Sequence, residues 1–496
     1  MAINAMRQIA AWTQRALRGA GTRGAHSAAV DTATQRALEG IVGASSVSIS
    51  HAVREQHCRD ESYHADTDGL FPPQAVVFPK STEEVQEIVR LCSRNNIPIV
   101  ASGACTSLEG HLAALRGGIA LNMREMNQVL QVNPEDMDVR AQAGVMRKQL
   151  NEYIRDTGLM FTVDPGADAS LGGMASTRAS GTNTVRYGGM RDNVLGLTAV
   201  MADGSVMHAG SRARKCSTGY DLKNLLIGSE GTLGIITELN VRLFGQPEAI
   251  SSAVCEFPTL ADAVNCTIAT IQLGVPVARV ELMDALSCTA VNKFSKMSLN
   301  ETPTLFFEFH GSHASVAEQA QQVGEIAQGY SGAGFKWSAD AQERSKLWEA
   351  RHHAYWAAIA LRGLPNLRGM PTDAAVPISR LADMVMESDA DLRDVTMRTG
   401  LIGPLVGHVG DGNFHYCLAI DVANPEEIKE AKAFAERLAA RAIRMGGTCS
   451  GEHGIGYGKL HFVEREHGSG AVAAMRAVKA ALDPLNILNP GKLGSI

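Results

Sequence analysis

Between residues 164 and 193 the chain reads DPGADASLGGMASTRASGTNTVRYGGMRDN. No other stretch limits the fold as much. Its positions are mostly small or polar, and neither a 3.6-residue nor a two-residue apolar period runs through them. Strand and helix patterns continue on both sides, so the segment belongs to an ordered domain. Glycine and other small residues let backbone N–H groups approach a large anionic surface with no Cβ in the way. Such a run in mid-domain reads as backbone laid against something large; the bland alternative is a surface loop.

Two further segments share this character: GACTSLEGH at 103–111 and GSEGTLG at 228–234. The 49 glycines are spread along the chain, which makes them turn residues and not a low-complexity tract. None of the three segments has the GxxxxGK[ST] or GxGxxG spacing, so neither a nucleoside triphosphate nor NAD is indicated.

The flanking patterns place these segments. AVVFP (75–79) reads as a buried strand, STEEVQEIVRLCSRNN (81–96) as a helix opened by a Ser81–Glu84 capping box, and IPIVASG (97–103) as the next strand. A helix over 146–158 and a hairpin turning at Asp203-Gly204 follow, and the strand after GSEGTLG closes this half. Beyond about 247 the glycine-rich character fades. TLADAVNCTIATIQLG and ASVAEQAQQVGEIAQGYSG read as helices, TLFFEFHG (304–311) as a strand, and AVAAMRAVKAALDP as a late helix. With 496 residues, two or three domains are expected.

A net charge of −6 without a basic stripe argues against nucleic acid as a partner. No apolar run is long enough for a transmembrane segment. Nine cysteines, an odd number with no CxxC, read as reduced thiols. The first thirty residues carry Arg7, Arg15, Arg18 and Arg23 with no acid before Asp31, the composition of a mitochondrial transit peptide. A mitochondrial location follows, in the matrix or at the inner membrane, with peripheral membrane association left open.

The chemistry concentrates late in the chain. GHVGDGNFHY (407–416) sets His408 and His415 about a Gly-Asp-Gly-Asn turn with strand-like flanks, so the two imidazoles are expected on facing strands. SGEHGIG places Glu452 and His453 between glycines. A His₂Glu set suits a divalent ion, zinc or manganese, and three protein ligands leave a coordination position open for catalysis. His453 is placed to act as a base, and Asp411 to orient a ligating histidine. The alternative is that both histidines are hydrogen-bonded structural residues and Glu452 an exposed acid.

Together these segments resemble the FAD-linked oxidase family of the vanillyl-alcohol oxidase superfamily over about residues 50–493. Within it, VREQHCRDES, VARVELMD, PTLFFEFHGS and TDAAVPISRL are similar to the cytochrome-linked D-lactate dehydrogenase branch. The resemblance implies an α+β chain: a PCMH-type FAD-binding domain (50–246), an α+β, ferredoxin-like cap (247–470) and a C-terminal segment (471–496) that returns to the first domain. It implies FAD contacts from Gly103, Ala104, Cys105, Thr106, Ser107 and Gly110. Further contacts come from Asp164, Pro165, Gly166, Ala167, Ser170, Gly173, Thr177, Ser180, Gly181 and Thr182, and from Gly228, Glu230, Gly231, Gly234, Ile235 and Asn489. His408, His415 and Glu452 become metal ligands, His453 the base, and Arg351 in WEARHHAYW the group that binds the substrate carboxylate. The expected reaction is oxidation of a D-2-hydroxy acid, D-lactate foremost, with electrons passed to cytochrome c or another acceptor.

The alternatives are a D-2-hydroxyglutarate or glycolate-type dehydrogenase, a flavin-free metal protein and an inactive paralogue. In the hydroxyglutarate enzymes a lysine pairs the distal carboxylate, and Pro371 stands at the matching position here, with Arg368 close by in sequence. Two departures from the family bear on FAD. Cys105 and Arg178 stand where glycine is usual, so a Cβ at either point is expected to crowd the flavin or shift its loop; Cys58 likewise replaces a glycine. His111, just past the first loop, is read as a surface residue.

Overall fold

The structure is a computed structural model that describes residues 30–493. The targeting segment read over residues 1–30 lies, apart from Val30, outside the described residues.

The first half is built on two sheets. In the smaller, the order is Val47–Ser48, Ala75–Val77, Ile119–Asn122 and Ile99–Ser102, with the last three strands parallel. The Thr82–Asn95 helix crosses over between two of them, burying Val85, Ile88, Val89 and Cys92 at helical spacing. Ser81 Oγ accepts the Glu84 N–H at 3.2 Å, as a capping box requires. The Glu84 carboxylate instead takes the N–H of Lys80, one residue earlier than the reciprocal bond of that motif. An additional helix, Thr32–Val42, brings Leu38 into the same core.

The second sheet is antiparallel, in the order Val129–Asn133, Asp138–Gln142, Ile235–Arg242, Val194–Val200 and Val206–Gly210. Its last hairpin turns through Gly204 at φ 80°. The small-residue segment has no strand of its own. It forms the Leu171–Thr177 helix and two single turns, Thr184–Tyr187 and Met190–Asn193, joined by loops.

The second half is one antiparallel sheet of eight strands. Its Thr304–Gly311 strand is buried along nearly all its length because helices cover both faces. Phe307 and Phe309 point into a core with the Leu260–Gln272, His313–Gly329, Leu381–Thr399 and Pro425–Arg444 helices. Phe306, of opposite parity, packs with the Ala285–Ser295 and Ala341–Ala360 helices. The Leu460–Leu482 helix breaks at Gly468, φ 79°. The chain then runs back to the first sheet, where Asn489 N–H donates to Ile99 O at 2.8 Å. All nine cysteines are free thiols.

Candidate active site

The histidine hairpin joins Leu405–Gly407 to Asn413–Asp421, with Val406 opposite His415. Its turn, Val409–Asp411, closes through Gly412 at φ 74°. His415 is therefore a strand residue, whereas His408 sits one residue past the end of its strand, as the cap of the turn. Their Nε2 atoms still converge: each lies 3.2 Å from the same oxygen, Glu452 Oε1. The second oxygen of Glu452 accepts Ser180 Oγ from the flavin half at 3.1 Å.

The other ring nitrogens are occupied. His408 Nδ1 is 2.7 Å from Glu281 Oε1, and His415 Nδ1 is 2.8 Å from Thr372 O. Both contacts tie down Nδ1 and turn the Nε2 atoms toward Glu452, the atoms that would be free to ligate an ion. This is the donor set a divalent ion takes, with the backing that ligating histidines need. Burial opposes charging of His408, yet Glu281 and Glu452 outweigh it and hold its pKa well above the ordinary value. The partner of His408 is thus Glu281 and not Asp411, whose carboxyl burial pushes up to about 7. Glu281 also accepts Arg351 Nε at 2.7 Å, so one buried carboxylate orients both a histidine and the arginine.

His453 stacks on His415 with ring centroids 5.0 Å apart and planes within 6°. Asp373 Oδ2 accepts the main-chain N–H of Glu452 (2.9 Å) and of His453 (2.8 Å), which fixes the loop. His453 Nδ1 faces Glu109 Oε1 at 3.6 Å, and Lys459 Nζ reaches the same oxygen at 2.9 Å. Burial works against a charged His453, but Asp373 and Glu109 raise its pKa on balance.

These groups open onto one cavity of about 710 Å³ between the two halves. Of the expected flavin contacts, all but Gly110, Gly181 and Gly228 line it. Those three serve packing. A Cβ on Gly110 would lie 2.3 Å from the Tyr457 ring, and one on Gly181 would lie 2.3 Å from Asp164 O. Gly228 turns at φ 84° beside the Arg178 guanidinium. The flavin side of the cavity wall is rich in glycine, alanine, serine and threonine, a cradle that larger side chains would fill.

Cys105 (φ 62°) and Arg178 (φ 57°) both sit in the left-handed region that glycine favours. Cys105 lines the cavity, whereas Arg178 points away from it and donates to Ile227 O at 3.3 Å. His111 is 5% exposed and not a surface residue. Its Nε2 lies 3.3 Å from Glu230 in the cavity wall. On the cap side, besides His408, His415, Glu452 and His453, the wall includes Arg279, Arg351, His352, Tyr355, Trp356, Pro371, Val406 and Cys417. Arg368 is absent from it and pairs with Asp66 at 2.7 Å.

Two family models match this chain: the FAD binding domain over residues 73–210, and the C-terminal domain of FAD linked oxidases over residues 246–493. A Danio rerio protein named "Probable D-lactate dehydrogenase, mitochondrial" is 49% identical over 472 residues, 95% of this chain and 93% of its own. The mitochondrial D-lactate dehydrogenase [cytochrome] of Arabidopsis thaliana is 44% identical over 421 residues, 85% of this chain and 73% of its own. Among solved structures, 4-ethylphenol oxidase from Gulosibacter chungangensis superposes with a TM-score of 0.76, covering 95% of this chain and 98% of its own. At 19% identity that likeness bears on the fold alone.

Proposed function

The chain belongs to the FAD-linked oxidase family, and from that membership we propose that it oxidises D-lactate to pyruvate. One observation carries the reading. Arg351, His453 and the His408–His415–Glu452 cluster face the same cavity as the flavin loops. In this reading residues 50–246 hold the flavin, 247–470 carry the substrate and metal side chains, and 471–496 return to the flavin domain.

The loops at 103–107, 164–182 and 230–235 would hold FAD, which would supply an acceptor for the C2 hydrogen and its electron pair. His408, His415 and Glu452 would hold a divalent ion, zinc or manganese, supplying Lewis acidity at the substrate hydroxyl. The remaining work belongs to the chain. Arg351 binds the carboxylate, and its bond to Glu281 fixes the guanidinium before substrate arrives. His453 takes the hydroxyl proton at Nε2, with Nδ1 turned to Glu109. Tyr355, Pro371 and Val406 keep water from the reacting carbon.

The cap wall favours a small monocarboxylate. Pro371 offers no charge, and Arg368 is spent on Asp66. A second carboxylate there would lose its hydration without gaining a partner. D-2-hydroxyglutarate is accordingly the poorer substrate. Cytochrome as acceptor and a mitochondrial location rest on the names of the relatives. Among the described residues, no helix is long and apolar enough to cross a membrane.

The test is an anaerobic visible spectrum of the purified, metal-replete protein before and after D-lactate. Flavin bands that bleach with D-lactate and persist with L-lactate are expected. Bands that D-lactate leaves untouched would overturn the assignment.

A further inference from the structure

The flavin half contributes one carboxylate to the cavity that the proposed reaction does not use. Glu61 follows Asp60, and the two neighbours differ. The Asp60 carboxylate accepts from Ser62 Oγ, Ser107 Oγ and His111 N–H, so it ties the flavin loop together. Glu61 donates only its main-chain N–H, to Ser107 O at 3.0 Å. Its side chain is exposed, lines the cavity, and makes no hydrogen bond or ion pair among the described residues.

Its surroundings locate it. Burial raises the Cys105 thiol pKa to about 11, and Glu61 adds to that shift. Burial likewise raises the Tyr355 phenol, again with a contribution from Glu61. Geometry agrees: Glu61 N–H is bonded to Ser107 O of the flavin loop, and Asp66, five positions on, pairs with Arg368 on the cap strand Leu367–Pro371, so the segment that carries Glu61 runs from the flavin loop to the cap wall. Among the described residues, the two arginines that line the cap wall are both held by carboxylates. Arg351 is engaged by Glu281, and Arg279 lies among Asn183, Asp164 and Glu308. Arg147 and Lys148, which also line the cavity, rise from the flavin half.

We propose that Glu61 is a specificity residue that repels 2-hydroxy acids bearing a second carboxylate. The inference rests on the dehydrogenase reading above. A like charge at the side of a substrate cleft repels a second carboxylate by a solvent-screened Coulomb interaction, and selectivity comes from such a repulsive element as much as from contacts to the right substrate. Pro371 withholds a favourable partner; Glu61 adds an unfavourable one.

The experiment compares kcat/KM for D-2-hydroxyglutarate and D-lactate, using a dye acceptor, in the wild-type holoenzyme, Glu61→Gln and Glu61→Lys. The dicarboxylate-to-monocarboxylate ratio should rise about fivefold in Glu61→Gln and further in Glu61→Lys, mostly through KM. In the wild type, added salt should raise the same ratio by screening, which needs no variant to fold. A ratio that stays within about twofold in the variants and with salt overturns the role of Glu61 while leaving D-lactate oxidation standing. A wild-type flavin that neither acid reduces overturns the dehydrogenase reading itself.

Discussion

Glu230, in the flavin half, accepts the main-chain N–H of Ile455, in the loop that carries His453, at 2.6 Å. Its other oxygen takes the N–H of Gly456 at 2.9 Å and lies 3.3 Å from His111 Nε2. Its own carbonyl accepts Asn489 Nδ2 from the C-terminal return at 2.7 Å. One buried residue thus joins the flavin half to the base loop through its side chain and to the tail through its carbonyl. Its backbone is held at φ 54°, a conformation that a non-glycine residue keeps only when its surroundings demand it.

Replacing Glu230 by alanine should therefore cost more than an ordinary buried hydrogen bond. Two main-chain N–H groups and an imidazole lose their acceptor in a dry site. About 2–4 kcal/mol of stability should be lost, with partial loss of flavin. Thermal unfolding and the flavin-to-protein absorbance ratio measure both. Wild-type values for each would show that the tie is ornamental.

Glu281→Gln tests the proposed metal site. The amide can still accept from one partner but no longer charges the bond to His408 Nδ1. Metal affinity should fall about 10–100-fold, the usual consequence of losing the group behind a ligating histidine. Arg351 loses its ion pair in the same step, so the KM for D-lactate should rise. Competition with a chromophoric chelator gives the affinity directly, and an unchanged affinity would remove Glu281 from this role.

The fold was readable where it depends on local rules. Ser81 caps its helix, Gly204 turns its hairpin, and TLFFEFHG is a strand over the residues expected of one. The convergence of His408, His415 and Glu452 was also readable, because turn glycines bracket each piece. Their partners were not. Glu281 precedes His408 by 127 positions, and Asp373 precedes Glu452 by 79. VARVELMD carries the resemblance, but nothing in it marks its acid as buried beside an imidazole. His111 was misread for the same reason. Its burial follows from the tail, where Lys492 Nζ donates to His111 O from 381 positions away. The family's glycine at position 178 marks the backbone conformation there but not the direction of the arginine side chain, which the structure turns toward Ile227 O.

That distinction can be tested with two glycine variants. Cys105 and Arg178 are both in the left-handed region, where glycine relieves about 1 kcal/mol. Only Cys105 lines the cavity. Cys105→Gly should tighten FAD about threefold or more by removing a side chain beside it, whereas Arg178→Gly should leave FAD affinity within about twofold. Arg178→Gly also gives up a long bond to Ile227 O, so its stability should change by less than about 1 kcal/mol. Fluorescence titration of the apoprotein with FAD measures the affinities. Equal effects would mean that the loops respond to backbone strain alone.

The pH dependence of flavin reduction tests the assignment of His453. A base must be neutral to accept the hydroxyl proton, so the rate should fall as pH drops through the pKa of His453. Burial lowers that pKa, while Asp373 and Glu109 raise it by more, so the carboxylates move the acid limb upward. Glu109→Gln removes one of them, at 3.6 Å from Nδ1. The sign follows: the pKa falls, and the acid limb moves to lower pH, by up to about one unit. Lys459 loses its closest anion but keeps Asp373 at 3.7 Å, so the loop retains a tether. Single-turnover reduction by D-lactate across the pH range separates the outcomes. A limb that shifts downward supports proton transfer to His453. A rate that drops equally at every pH, with the limb in place, would make Glu109 a support for the loop and require another base.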